Sequence, residues 1–386
     1  MGRTPRLVFG VGARTSVVGL LREAEISRVG IVTGASSLRQ SAAWKELLNA
    51  LADAGIAWCD FALRGEPGPA FVDETVQGLR EANAQAVIAI GGGSPLDAAK
   101  AAAAGFFLEA SIREYLEGVG SRSPDGRTLP VYALPTTAGT GTEATKNAVL
   151  SEIGPNGFKK SLRHDNYIAQ VAIIDPELAV GCPAMVTAAS GMDAITQLIE
   201  PYVSTAAQPF TDALAESGLL WAGRCLERAV QDGTDLEARS GMAYAAYLSG
   251  ICLANAGLGV VHGAASPAGA AVEIPHGVFC GTLLAASVRI TVERLEESDA
   301  AHAAALRKYA RAGVLLSGRD RGSVAANCAG LIDELERLTE AIGIPRLGGY
   351  GFTADIAHTV ATRTDGKNHP LVLDQESIEQ LLLSRL

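Results

Sequence analysis

Short apolar runs rich in Val and Ile recur through the first half of the chain, at Val29 to Thr33, Ala86 to Ile90, Val131 to Pro135 and Val171 to Asp175. Between them lie stretches of helical periodicity such as Ala43 to Ala54 and Val72 to Asn83. This alternation predicts an α/β fold with a doubly wound parallel sheet, whose ligands gather at the carboxyl ends of the strands. After Asp175 the texture changes. Pro176, Cys182 and Pro183 lead into long Ala- and Leu-rich segments, Thr187 to Tyr202, Pro209 to Ala229, Leu236 to Ala256, Ala300 to Leu316 and Val324 to Ile342, with few β-branched runs. These predict an all-helical second domain. The boundary is expected between Ala179 and Pro183, giving domains over residues 1–179 and 180–386. Gly343 to Phe352 reads as a loop before the last helical pattern, and no internal repeat or low-complexity tail is present.

Two of the predicted strands run into glycine-rich turns. The Ala86 strand leads directly to Gly91, Gly92, Gly93 and Ser94, and then to a helix with Pro95 near its first turn. Glycine lets a pyrophosphate approach the backbone, and a helix N-terminus supplies free N–H groups and a positive dipole end. The motif is neither GxGxxG nor a Walker loop, so a tight turn without a ligand is the competing reading. The second turn, LPTTAGTGTEAT from Leu134 to Thr145, offers hydroxyls at Thr136, Thr137, Thr140 and Thr142, with Gly139 and Gly141 allowing close approach. Such hydroxyls can bind a phosphate, a ribose or an amide, or can satisfy their own backbone.

The segment Gly257 to Gly281 holds two of the six histidines, His262 and His276, each followed by glycine. On one unbroken helix they would stand about 21 Å apart. Pro267, Gly269 and Pro275 are expected to interrupt that helix and turn the second imidazole back toward the first. Upstream, Asp193 and Gln197 are four apart and share one helical face. A carboxylate and two imidazoles suit zinc or iron. The competing readings are ordinary buried histidines and an Asp that favours a helix start after Gly191.

Composition narrows the function classes. A formal net charge of -10 argues against nucleic acid as a partner. Six scattered cysteines without a CxxC pair indicate neither a zinc ribbon nor a dithiol redox motif, and fit a reducing cytoplasm. The N-terminus lacks a signal-peptide apolar core, and Arg6 stands where a myristoylation motif needs Ser or Thr. The apolar run from Met242 to Val261 is broken by glycines, Tyr and Asn, and reads as a buried helix more than a membrane span. A soluble, cytoplasmic protein is expected.

Taken together, GGGSPLDAAK, LPTTAGTGTEAT, VAIIDPEL at Val171, GMDAITQLIEPYVS at Gly191 and GLGVVHGAASPAGAAVEIPHG resemble the iron-containing, or group III, alcohol dehydrogenases of the dehydroquinate synthase-like superfamily. The match runs in order through nearly the whole chain. The resemblance implies a nucleotide-binding α/β domain, a helical domain, and a cleft where a metal polarises an alcohol or carbonyl oxygen beside a nicotinamide. Cofactor positions carry over to Gly92, Gly93, Ser94 and Asp97, to Thr136, Thr137 and Thr142, and to Lys159 as a ribose contact. Metal positions carry over to Asp193, His262 and His276. The implied activity is reversible hydride transfer between NAD(P)H and a small aldehyde or ketone.

Three departures from the family pattern matter. Its second metal ligand, usually His, is Gln197, a weak neutral donor that leaves three strong ligands and an open position, an arrangement zinc accepts. A histidine assigned to proton transfer is Ser266, so protons need another route through Ser266, water or the cofactor ribose. Many relatives place an Asp after the first strand, where this chain has Gly34 with Ser36, Ser37 and Arg39 behind it. Losing that carboxylate and gaining hydroxyls and a guanidinium favours NADP over NAD. A dehydroquinate synthase-like lyase would call for several basic residues facing the metal, yet no Lys occurs between Gly191 and Ile290. A nucleotide-binding regulatory protein with a degenerate metal site is the non-enzymatic alternative. Phe279 and Cys280 are candidates for a substrate-pocket wall, Lys367, Asn368 and His369 resemble a family turn or form a surface turn, and a homodimer or larger homo-oligomer stays open.

Overall fold

In a computed structural model, residues 2–154, 157–297 and 303–386 are described. The chain divides into two compact units: Met1–Thr137, Gly141–Glu152 and Lys159–Cys182 form one, and Ala138–Thr140, Ile153–Phe158 and Pro183–Leu386 the other.

The first unit contains β1 (Arg6–Phe9), α1 (Ser16–Glu23), β2 (Arg28–Gly34), α2 (Ala42–Asp53), β3 (Ala57–Leu63), α3 (Pro69–Glu81), β4 (Ala86–Gly91), α4 (Gly93–Gly105), β5 (Val131–Pro135), β6 (Asn147–Glu152), β7 (Phe158–Arg163) and β8 (Val171–Ile174). Six strands form a parallel sheet in the order β1-β8-β5-β4-β2-β3, and β6 pairs with β7 alone. From β2 the chain moves outward to β3 and then crosses to β4 on the other side of β2, so the winding reverses between β2 and β4. The carboxyl ends of these two strands, Gly34 and Gly91, therefore flank the crevice where such sheets bind ligands. Apolar residues of α1 and α2 (Val17, Leu20, Leu21, Trp44, Leu51) pack with sheet residues Val29, Ile31, Ile88, Leu134 and Ile173 in one core. The four strands predicted from sequence are the central ones. β1 and β3, which the apolar pattern did not announce, are the two edges and consist mostly of exposed and half-buried residues.

The buried Lys100 of α4 ties this unit together. Its ammonium donates to the Thr142 carbonyl at 2.9 Å, to Thr145 Oγ1 at 3.1 Å and to the Asn147 carbonyl. The polar turn after β5 and the start of β6 are thus anchored to the helix that begins at Gly93. Glu143 is buried in the same turn.

The second unit is helical: α5 (Ala184–Val203), α6 (Pro209–Gln231), α7 (Leu236–Ala256), α8 (Val260–Ala271), α9 (His276–Glu296), α10 (Ala303–Ser317), α11 (Val324–Ala341), α12 (Ala354–Arg363) and α13 (Gln375–Leu383). The predicted start of the Ala300 segment lies outside the described residues. Pro267 does not end a helix as expected; it sits inside α8, and the break falls after Ala271, with Pro275 as the N-cap of α9. Among the described residues no single helix is long and apolar enough to cross a membrane; α7 and α8 meet that test only together, and are bent by 97°. The bend uses Gly257 at φ 71°, where a Cβ would come within 2.2 Å of Asn368 Oδ1.

α5 and α9 approach each other closely enough to exclude side chains at the contact. A Cβ on Gly277 would stand 2.3 Å from the Ala189 carbonyl oxygen, and one on Gly281 would stand 2.7 Å from Met192 Cβ. Gly263 is equally constrained, since its Cβ would meet the Asp365 carbonyl. The glycine after each histidine is therefore required by packing.

Two outcomes are expected. Gly277→Ala must push α9 off backbone that cannot rotate aside, and should cost about 1–3 kcal/mol, read as a lower urea midpoint. Burial drives the Glu143 carboxyl up to about 7, against its own backbone N–H and Lys100, which pull it down. A carboxyl raised in the folded state binds more protons folded than unfolded, so its contribution is lost as pH rises from the ordinary carboxyl range through about 7. Glu143→Gln should therefore be more stable than wild type by up to about 3 kcal/mol at pH 8, with the gain vanishing near pH 4 in urea titrations.

Candidate metal centre and cofactor loops

Three helices deliver four donor atoms to one place. Asp193 lies midway along α5, His262 in the first turn of α8, His276 at the first residue of α9 and Cys280 one turn later. Asp193 Oδ1 is 3.3 Å from His262 Nε2 and 3.6 Å from His276 Nε2. Cys280 Sγ is 3.7 Å from His262 Nε2 and 3.8 Å from His276 Nε2. All four donors lie within 4.8 Å of one another. Asp193, His262 and Cys280 are buried, while the His276 side chain keeps 27% of its surface exposed and marks the open side. Asp193 stands deep inside α5, which removes the reading of it as a helix-start residue.

Partners behind these donors orient them. Asp193, Gln197 and Glu200 follow one another at helical spacing on α5. Glu200 accepts from His262 Nδ1 at 2.7 Å and from the Val261 amide at 2.8 Å. With Nδ1 committed as donor to Glu200, Nε2 is the ring nitrogen left facing Asp193, where a proton or a cation can sit between them. Gln197 Nε2 donates to Asp193 Oδ2 at 3.2 Å, and its amide oxygen accepts from Ser249 Oγ at 3.0 Å. His369 is buried rather than part of a surface turn; its Nε2 lies 3.0 Å from Thr291 Oγ1, and burial pushes its imidazole down to about 4.

Charge within the cluster is shared. Burial alone would raise the Asp193 carboxyl, but the imidazoles of His276 and His262 outweigh it and hold it below the carboxylate range. Burial likewise opposes a charged His262, yet Cys280, Asp193 and Glu200 hold its imidazole well above the ordinary value. Protons shared among donors at these separations are what a divalent cation would replace. The carboxylate, imidazole and thiol set fits zinc or iron.

The loops of the first unit form one surface. Gly91 has φ 156° and its Cβ would lie 2.7 Å from Pro95, so glycine is needed for the chain to enter α4. Gly92 caps that helix, leaving the amides of Gly93 and Ser94 in its open first turn. The Thr136 amide donates to the Gly91 carbonyl at 2.8 Å, and Thr137 Oγ1 would stand 3.3 Å from a Gly92 Cβ, so the two turns are in contact. Gly34 faces Pro95 of the same helix. Thr142 is buried, with its carbonyl on Lys100, whose Nζ also stands 3.5 Å from Asp97 Oδ1. Lys159, on β7, lies 3.4 Å from Glu66. Ser37 is exposed, and Arg39 donates from Nε to Thr33 Oγ1 at 2.9 Å and pairs with Asp60 at 2.5 Å.

Glu200 and Ser249 were not foreseen, although Glu200 shares the helical face of Asp193. Phe279 does not line a site: it is buried against Phe352, with ring centroids 6.1 Å apart. Cys280, one residue on, points into the cluster. None of the six cysteines forms a disulfide.

Comparison with known proteins agrees with this geometry. The family profile described as iron-containing alcohol dehydrogenase matches residues 4–176, and the profile of that family's C-terminal domain matches residues 187–386. The chain is 35% identical over 348 residues to the NAD-dependent methanol dehydrogenase of Bacillus methanolicus, covering 90% of this chain and 87% of that one. It is 37% identical over 280 residues to long-chain-alcohol dehydrogenase 1 of Geobacillus thermodenitrificans, covering 72% and 68%. A crystal structure of 1,3-propanediol oxidoreductase superposes over 100% of both chains with a TM-score of 0.90 at 29% identity. With a parallel α/β unit, a helical unit and these matches along nearly its whole length, the chain belongs to the iron-containing alcohol dehydrogenase family, oxidoreductases acting on CH–OH groups.

Proposed function

We propose that this chain catalyses reversible hydride transfer between a nicotinamide dinucleotide and a small alcohol or its aldehyde or ketone, with a divalent metal held by Asp193, His262 and His276. The observation that carries this reading is the meeting of the Asp193 carboxylate with both imidazoles at 3.3 and 3.6 Å, from three separate helices. When bound, the metal supplies Lewis acidity toward the substrate oxygen, and the nicotinamide accepts or donates the hydride.

The chain's own residues prepare that chemistry. Glu200 locks the His262 ring and fixes which nitrogen faces the donors. Burial of Asp193, His262 and Cys280 keeps water from that side, while the half-exposed face at His276 admits substrate. The Gly92, Gly93 and Ser94 amides at the start of α4 receive a pyrophosphate, and Thr136 and Thr137 add hydroxyls on the adjoining turn. Asp97, Thr142 and Lys159 complete the cofactor set. Ser266, one helical turn beyond His262 on α8, offers a hydroxyl for carrying the alcohol proton toward solvent.

The choice between NAD and NADP turns on Gly34, Ser37 and Arg39. Gly34 presents no carboxylate to repel a 2′-phosphate, and the exposed Ser37 hydroxyl can donate to one. Arg39 is engaged with Asp60, so a 2′-phosphate has to share its guanidinium. On this reading NADP is accepted through Arg39, and NAD binds without it.

Oxidation of NADH and NADPH against a panel of aldehydes and ketones, before and after chelation and with zinc or iron restored, is the direct test. Turnover that chelation abolishes and metal restores is expected; no turnover of any carbonyl by metal-loaded protein overturns the proposal. Arg39→Ala should raise KM for NADPH by about tenfold or more while leaving that for NADH unchanged, as expected for one lost charge-assisted hydrogen bond. Equal changes in both would show that Arg39 only supports the fold around Asp60.

A further inference from the structure

We infer that Cys280 is a metal ligand of this centre, so that the ion is held by one carboxylate, two imidazoles and one thiolate, and that Gln197 is not a ligand. The inference rests on the reading of the cluster as a divalent metal site and adds a fourth protein donor to it; a substrate oxygen would then join the ion as a fifth neighbour on the open side at His276.

The spacing of the donor atoms carries the argument. Zinc bonds of about 2.0–2.1 Å to nitrogen and oxygen and about 2.3 Å to sulfur require tetrahedral edges of about 3.4 Å between nitrogen and oxygen and about 3.6 Å between nitrogen and sulfur. The Asp193 edges to His262 and His276 are 3.3 and 3.6 Å, and the Cys280 edges to the same two nitrogens are 3.7 and 3.8 Å. Sulfur therefore stands where a fourth donor belongs, as near to both imidazoles as a shared ion demands. Its place follows from the helix: four residues after His276, Cys280 projects from the same face of α9. Cys280 is fully buried, and its sulfur lies against both imidazole nitrogens.

Gln197, on the face of α5 that also carries Asp193, is occupied elsewhere. Its NH2 group points at Asp193 Oδ2, and its amide oxygen at Ser249 Oγ. Reversing the amide would free neither end, because it would set the oxygen against the Asp193 carboxylate. An N–H donor cannot ligate, so Gln197 steadies the carboxylate while the sulfur comes from the opposite helix. Coordination replaces the thiol proton by a metal–sulfur bond, and that proton leaves to solvent. Thiolate donors and the ordinary order of divalent affinities both favour zinc over iron(II) at such a site.

Cobalt(II) substitution of the full-length protein reads the sulfur directly. The expected result is a sulfur-to-cobalt charge-transfer band in the near ultraviolet, absent in Cys280→Ser, together with a loss of zinc affinity of at least about tenfold in that variant, measured by competition with a chromophoric chelator. Zinc-edge X-ray absorption on the wild-type protein needs no variant, and should show one sulfur at about 2.3 Å. Stoichiometric cobalt or zinc with only nitrogen and oxygen neighbours overturns the assignment of Cys280 while leaving the metal centre intact. A wild-type protein that takes up neither ion overturns the assignment and the metal reading beneath it.

Discussion

Backbone-to-backbone approach between α5 and α9 sets the dimensions of the centre. Helices carrying ordinary side chains at their contact keep their axes 8–10 Å apart. Here Gly277 lies against the Ala189 carbonyl and Gly281 against Met192, so Asp193 on one helix and His276 and Cys280 on the other reach a common point without stretching. Gly263 does the same for α8, seating it against the chain that follows α12. The residues whose donor atoms converge all carry polar or ionisable side chains. The residues that let them meet have no side chain at all.

The first unit reaches a comparable result by topology. Reversal of the winding between β2 and β4 opens a crevice at Gly34 and Gly91, and the turn after β5 joins it through the Thr136 to Gly91 hydrogen bond. Lys100 then fixes the far part of that turn to the body of α4 through three acceptors. Burying an ammonium is costly unless each proton finds a partner, and the carbonyls of Thr142 and Asn147 and the Thr145 hydroxyl oxygen supply them. Arg39 shows the opposite economy of charge: its pairing with Asp60 leaves the approach to Gly34 lined by a cation already part-neutralised.

Much of this was legible from the amino acids, and the omissions have physical reasons. Strands buried on both faces write continuous apolar runs, so β2, β4, β5 and β8 were visible, whereas β1 and β3 at the sheet edges carry exposed residues and no such signal. Asp193, His262 and His276 could be singled out as residue types, but their convergence depends on a 97° bend at Gly257 and a break after Ala271 that local sequence only hinted at. Pro267 misled because it stands inside α8, past the first turn, where it removes one rung of the hydrogen-bond ladder without ending the helix. Glu200 could have been found from its spacing to Asp193. Ser249 could not, since nothing in α7 announces which residue of a neighbouring helix it will face.

The double acceptance by Glu200 has a consequence for how the centre comes into being. One carboxylate takes the Val261 amide, an orphan donor of the first turn of α8, and the ring nitrogen of His262 beside it. The two oxygens of that carboxylate thus join the start of α8 to the orientation of its imidazole, one accepting from the backbone and the other from the ring. The donor atoms of α5, α8 and α9 are held in register by contacts within the protein itself.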